Sequence, residues 1–150
     1  ILWSNLIGVV TERAKALQRI AFSPIVREAG DLACALFDQR GRMVAQANTG
    51  TPGHINSLAF AGAHLVKEFA GRCEPGDVLI TNDPWLSAGH FFDITTLTPI
   101  FRGDQVVAGI SLVVTTPVMS RAQVEAFVPK LQAAAEAIGE RLSDDQGLPR

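Results

Sequence analysis

Residues 82–93, NDPWLSAGHFFD, hold the densest set of side chains able to do chemistry. His90 and Asp93 stand three apart in it. An imidazole and a carboxylate at that spacing can meet around one divalent ion, because His suits transition metals and a carboxylate adds charge and hard oxygen. The alternative is that Asp93 merely orients a histidine on a loop. Asn82 and Asp83 can supply hydrogen bonds that fix the ring's tautomer, or, with Pro84, open the loop as an Asx-type turn. Trp85 can stack on a planar substrate or anchor the loop to the core. A Pro- and Gly-containing loop after a strand is a natural place for such groups, since a rigid scaffold positions polar side chains that a strand would bury. Of the two cysteines, Cys34 lies in an apolar run and reads as buried and inert. Cys73 follows Arg72 in a turn with no evident base, which makes it a poor nucleophile. Two cysteines form neither a crosslinked framework nor a paired-cysteine metal spacing, which fits a reducing, cytoplasmic setting.

Several elements must position this loop. Leu2, Leu6, Val9, Val10, Ala14, Leu17 and Ile20 recur at three- and four-residue steps, one buried face of an N-terminal helix. Ser23-Pro24 stops it. Residues 32–37 and 43–47 are short apolar runs around Asp38-Gln39-Arg40-Gly41, a β-hairpin pattern. Residues 48–56 read as a loop, and Ser57 as the cap of a middle helix running to Phe69 along Leu58, Ala61 and Leu65. A short strand over 78–80 empties into the polar loop. Residues 94–101 and 106–114 form a second hairpin, turning at 102–105. Ser120 and Gln123 have capping-box spacing. Val124, Phe127, Val128, Leu131, Ala134, Ala135, Ile138 and Leu142 then stripe a C-terminal helix that Pro129 should kink or split. The fold class is therefore α+β, an antiparallel sheet of two hairpins plus a short strand, packed with N-terminal, middle and C-terminal helices.

At 150 residues, 47% hydrophobic and 19% charged, the chain has the make-up of one folded domain rather than a disordered tail. Its net charge of −2 excludes the basic surplus of a nucleic-acid binder. No apolar run reaches the length of a membrane span. The opening ILWSNLIGVV lacks a basic flank and a cleavage site, so it reads as the first turns of the helix rather than an export signal. A start at Ile1 suggests a piece of something longer.

The stretch AFSPIVREAGDLACALFDQRGRMVAQANTGTPGHINSL, followed by PGDVLITNDPWLSAGHFFDITTLTPIF, resembles the B subunit of the hydantoinase and oxoprolinase enzymes, relatives of acetophenone and acetone carboxylase subunits. The likeness assigns residues 1–117 to a hydantoinase B-like N-terminal region, with 118–150 as a helix and tail of the same domain. It implies an ATP-dependent enzyme with an A-type partner that binds the ATP and phosphorylates a carbonyl or enol. The B-type subunit would complete cleavage of a cyclic amide or carboxylation of a ketone, so the small-molecule substrate is of those classes and the assembly an oligomer. In the carboxylase relatives a His-x-x-Asp pair and a second His about 25 residues on hold a divalent metal, a Lewis acid for a carbonyl step. The pair maps onto His90 and Asp93. The second histidine falls near Thr115, where none is present, which leaves a weak site. His54, in TPGHINSL, matches the family pattern and can line the same pocket, whereas His64 reads as an ordinary helix residue. Arg27 and Glu28 also match, as an ion pair or as groups facing the site. Residues 106–142 look like the closing strand and helix of an IclR-type effector-binding domain. The alternative to an enzyme fragment or shortened copy is thus a non-catalytic binding module that kept the fold.

Overall fold

The computed structural model describes residues 2–21, 23–115, 122, 125 and 128–144. Helices α1 (Leu2–Ile20) and α2 (Pro24–Ala29) lead into strands β1 (Leu32–Asp38) and β2 (Met43–Gln46). Helix α3 (Pro52–Glu68), strands β3 (Leu79–Thr81), β4 (Asp93–Arg102) and β5 (Gln105–Thr115), and helix α4 (Val128–Asp144) follow. The five strands form one sheet in the order β2-β1-β5-β4-β3, every described pairing antiparallel. The architecture is the α+β arrangement expected, with both hairpins and the short strand in place.

Period-two alternation along β1 explains why the sheet carries helices on both faces. Leu32, Cys34 and Leu36 join the core built with α1, α2 and α4, around Val10, Ala14, Leu17, Val26, Ile100, Ile110, Leu112 and Ala135. Ala33, Ala35 and Phe37 point the other way, into the core built with Leu58 and Leu65 of α3. Hence β1 is buried along nearly its whole length. Burial pushes the Cys34 thiol up to about 12, opposed by the Arg13 charge, so the sequence reading of an inert cysteine fits its environment.

Phe37 lies so close to α3 that a Cβ at Gly62 would enter its ring. Because interiors are packed to crystal-like density, the ring cannot yield without disturbing its neighbours. Gly62→Ala is therefore expected to cost about 1–3 kcal/mol of stability, read as a lower urea midpoint with unchanged m value. An unchanged midpoint would mean that this contact is not held in solution.

The structure adds to or adjusts the expected elements at three places. The middle helix starts at Pro52, not Ser57, so most of the expected loop 48–56 is helical. Pro52 sits at the first helical position, where its fixed φ and missing N–H do no harm. Thr51 occupies the cap position without a side-chain capping bond, because its hydroxyl donates to Asp31 instead (2.8 Å). Ser57, inside the helix, donates to the His54 carbonyl (3.1 Å). Second, residues 24–29 form a helix that apolar periodicity was too short to reveal, bounded by Ser23 and by Gly30 at φ 67°. Third, the strand expected over 78–80 runs Leu79–Thr81, and the second hairpin reaches one residue further at each end, from Asp93 and to Thr115. Pro129 lies in the first turn of α4, which begins at Val128. The Ser120–Gln123 capping box, Val124 and Phe127 lie outside the described residues, as does the tail from 145. Among the described residues no helix is long and apolar enough to cross a membrane.

Candidate functional site

The start of β4, the end of β5 and the first turn of α3 meet at one end of the sheet. Asp93, the first residue of β4, is fully buried, at 0% exposure. A carboxylate there must be compensated, since an unpaired buried charge is costly. His54, in the first turn of α3, compensates it: Nε2 lies 2.9 Å from Asp93 Oδ2. The other ring nitrogen, Nδ1, lies 3.4 Å from Asp31 Oδ1, and Asp31 is in turn held by the Thr51 hydroxyl. Asp31, His54 and Asp93 thus form one line of polar groups running inward. The His54 pKa is raised by its hydrogen bond with Asp93; burial opposes the rise, and the charges of Asp93 and Asp31 add to it.

His90 approaches from the solvent side. Its Nε2 is 3.4 Å from the same Oδ2 of Asp93, and its Nδ1 accepts the Phe92 N–H (3.3 Å). The three-residue spacing works because residues 88–92 turn sharply before β4 begins. Ser87 Oγ and Thr95 Oγ1, 2.6 Å apart, fasten the loop to β4. Two imidazoles and a carboxylate are a donor set suited to borderline divalent ions. As arranged, both rings turn their Nε2 onto the carboxylate itself, and among the described residues no three His, Cys, Asp or Glu side chains are placed to hold a metal ion. Thr115 stands directly across from Asp93 in the β4–β5 register.

The other candidates are distributed around this centre. Asp83 builds the loop: its Oδ1 accepts the Trp85 N–H (2.9 Å) and its own N–H bonds Thr81 Oγ1 (3.1 Å), an Asx-type turn. Asn82 is exposed on the same turn. Trp85 is 94% exposed and does not anchor the loop to the core; Phe91 (71%) and Phe92 (59%) of the same segment are exposed as well. Arg27 and Glu28 pair with each other at the surface (3.1 Å). Cys73 is half-buried, its thiol raised by burial and by the Asp77 charge against the opposing Arg72. Sequence reasoning missed Asp31 altogether and gave His54 only a place in the pocket, not its position between two carboxylates.

Residues 1–117 match the family described as hydantoinase B/oxoprolinase. The 5-oxoprolinase of Saccharomyces cerevisiae is 38% identical over 97 residues, covering 65% of this chain and 8% of that protein. A nucleotide-free acetone carboxylase structure, from work on ATP-dependent acetone carboxylation, superposes with a TM-score of 0.67 at 25% identity, over 76% of this chain and 15% of that one. The chain therefore spans a small part of the length of these relatives. The C-terminal domain of the Escherichia coli transcriptional regulator KdgR shares the fold, with a TM-score of 0.52 at 12% identity over 93% of this chain and 99% of that one.

Proposed function

The chain belongs to the hydantoinase B/oxoprolinase family, and from that premise we propose that it is part of the B-type subunit of an ATP-dependent enzyme acting on a cyclic amide or a ketone. The ATP would be bound by an A-type partner subunit, and the end of the sheet around Asp93 would meet the substrate carbonyl. One observation carries the reading: His54 and His90, from separate elements, converge on a single oxygen of a fully buried carboxylate. Pre-formed polar groups around a buried charge are characteristic of functional sites.

His90 and Asp93 would hold a divalent ion, which when bound supplies a Lewis acid to polarise a carbonyl. His54 would hold the Asp93 carboxylate in place, oriented by Asp31 and Thr51 as an outer partner orients a ligand. Two protein ligands completed by water bind an ion weakly, since catalytic sites usually supply three. A second reading, a non-catalytic module that kept the fold, is favoured by the threonine where the carboxylase relatives place a histidine.

Metal content separates the two readings. In equilibrium dialysis against Mn²⁺ or Zn²⁺, with free metal present throughout, the purified chain should take up metal that His90→Ala and Asp93→Ala both fail to bind. Equal, near-zero metal in all three proteins would leave the non-catalytic reading standing. Co-purification of an ATP-binding subunit with the full-length protein tests the partnership.

A further inference from the structure

We propose that the cavity between α1, α4 and the sheet binds an organic anion: a carboxylate carried on a short aliphatic chain. The cavity has a volume of about 240 Å³, smaller than sites for drug-sized ligands and suited to a slim one. Cys34 of β1 with Ile110 and Leu112 of β5 form its floor. All three belong to the core on that face of the sheet, so their side chains are what line it. Its walls include Ala16 of α1 and Ala133 and Ala134 of α4. Small side chains from both helices and from β1 meet here, which is why the helices leave a gap over the sheet.

Two independent features point to such a ligand. The first is the void itself. Protein interiors are close-packed, and an apolar gap forfeits the contacts its lining would otherwise make. Its apolar depth offers water no hydrogen-bond partners and takes up an apolar body instead. Ile20, 37% exposed at the rim, would be covered by the same molecule. The second is the charge that faces it. Arg13 of α1 and Lys130 of α4 are the charged residues among its described lining, one from each helix. Lys15 and Arg19, also on α1, both reach Glu12, whereas neither Arg13 nor Lys130 has a carboxylate partner among the described residues. The Arg13 charge is felt at the floor, where it opposes the burial that raises the Cys34 thiol.

The chemistry of these groups selects the ligand. Arg and Lys side chains donate hydrogen bonds and accept none, and a carboxylate accepts charge-assisted bonds from both, in bidentate geometry from the guanidinium. Cys34 stays protonated, so the floor sets no negative charge against the ligand and acts as a small apolar surface. The site is separate from the one around Asp93. Asp93 shares its face of β4 with Leu97, in the core built with α3, whereas this cavity opens on the opposite face.

Titration of the ¹⁵N-labelled chain with hexanoate, followed by NMR, tests the proposal, with 1-hexanol and n-hexylammonium as controls of the same length. The expected result is saturable binding of hexanoate with shifts centred on the Cys34, Leu112 and Ala134 amides. 1-Hexanol should bind at least about tenfold more weakly, having lost the charge-assisted hydrogen bonds, and hexylammonium, repelled by both cations, more weakly still. Arg13→Gln combined with Lys130→Gln, both at exposed positions, should bring hexanoate down to the affinity of 1-hexanol with an unchanged thermal melt. Ala16→Leu, at a half-buried position where leucine suits the helix, fills the cavity and should abolish binding of hexanoate and 1-hexanol alike. Absence of saturable binding, equal binding of hexanoate and 1-hexanol, shifts confined to another part of the chain, or undiminished binding by either variant would each overturn the assignment.

Discussion

His54→Ala is expected to cost about 3 kcal/mol of unfolding free energy near pH 6, among the largest losses a single side chain of this protein can produce. The cost comes from what is left behind. Asp93 has no exposure to solvent, and the other imidazole beside it, that of His90, is 3.4 Å away and 45% exposed, a poor replacement because water screens it. Asp93→Asn should cost less, since His54 can then give up its proton and an amide is cheaper to bury than a charge. The double variant should therefore recover part of the loss seen in His54→Ala, the signature of a coupled pair.

The pH dependence follows from the direction of the His54 shift. Its folded pKa is raised above the ordinary value of 6.5, so the protonated ring is favoured by folding. Its contribution is fully present below 6.5 and is lost as pH rises through the higher, folded value. Urea unfolding in the presence of EDTA should accordingly show the wild type losing stability relative to His54→Ala as pH rises above 6.5, with the gap between them narrowing. Parallel curves for the two proteins across that range would mean that His54 does not carry the proton that holds Asp93.

The same residues show where sequence pattern suffices and where it fails. The pairing of β1 with β2 and of β4 with β5 was legible because short apolar runs and turn residues are local signals. The short helix over 24–29 carried its own punctuation, Ser23-Pro24 before it and Gly30 after it, but spans too few residues for apolar periodicity to register. The start of α3 was misplaced by looking for a capping hydroxyl, when Pro52 was the local sign and the Thr51 hydroxyl was engaged elsewhere. That engagement is what composition and spacing cannot reveal. Asp31 precedes β1, His54 opens α3 and Asp93 opens β4, so their meeting depends on how the sheet closes. His90 and Asp93 were visible as a pair only because they are three residues apart in the chain. A buried carboxylate at a strand's first residue reads, in sequence, like any loop aspartate.

Thr115→His is expected to tighten divalent-metal binding on the order of a hundredfold, about 2.8 kcal/mol. Residue 115 is the cross-strand partner of Asp93, and directly opposed residues in an antiparallel pair share a face with Cβ atoms about 5 Å apart. A histidine there would join His90 and Asp93 as a third protein ligand, bringing the donor count to that of an ordinary catalytic site. The gain must vanish on adding Asp93→Ala, because a tightening that survives loss of the carboxylate would come from a stray surface histidine. It should also fall as pH drops below the range where imidazole is neutral, since the proton and the metal compete for the same nitrogen. Zn²⁺ titration of wild type, Thr115→His and the double variant, read by calorimetry at about pH 7.5, decides the matter. Equal affinity in wild type and Thr115→His would show that β4 and β5 do not bring these two positions to one ion, and the metal role of His90 and Asp93 would go with it.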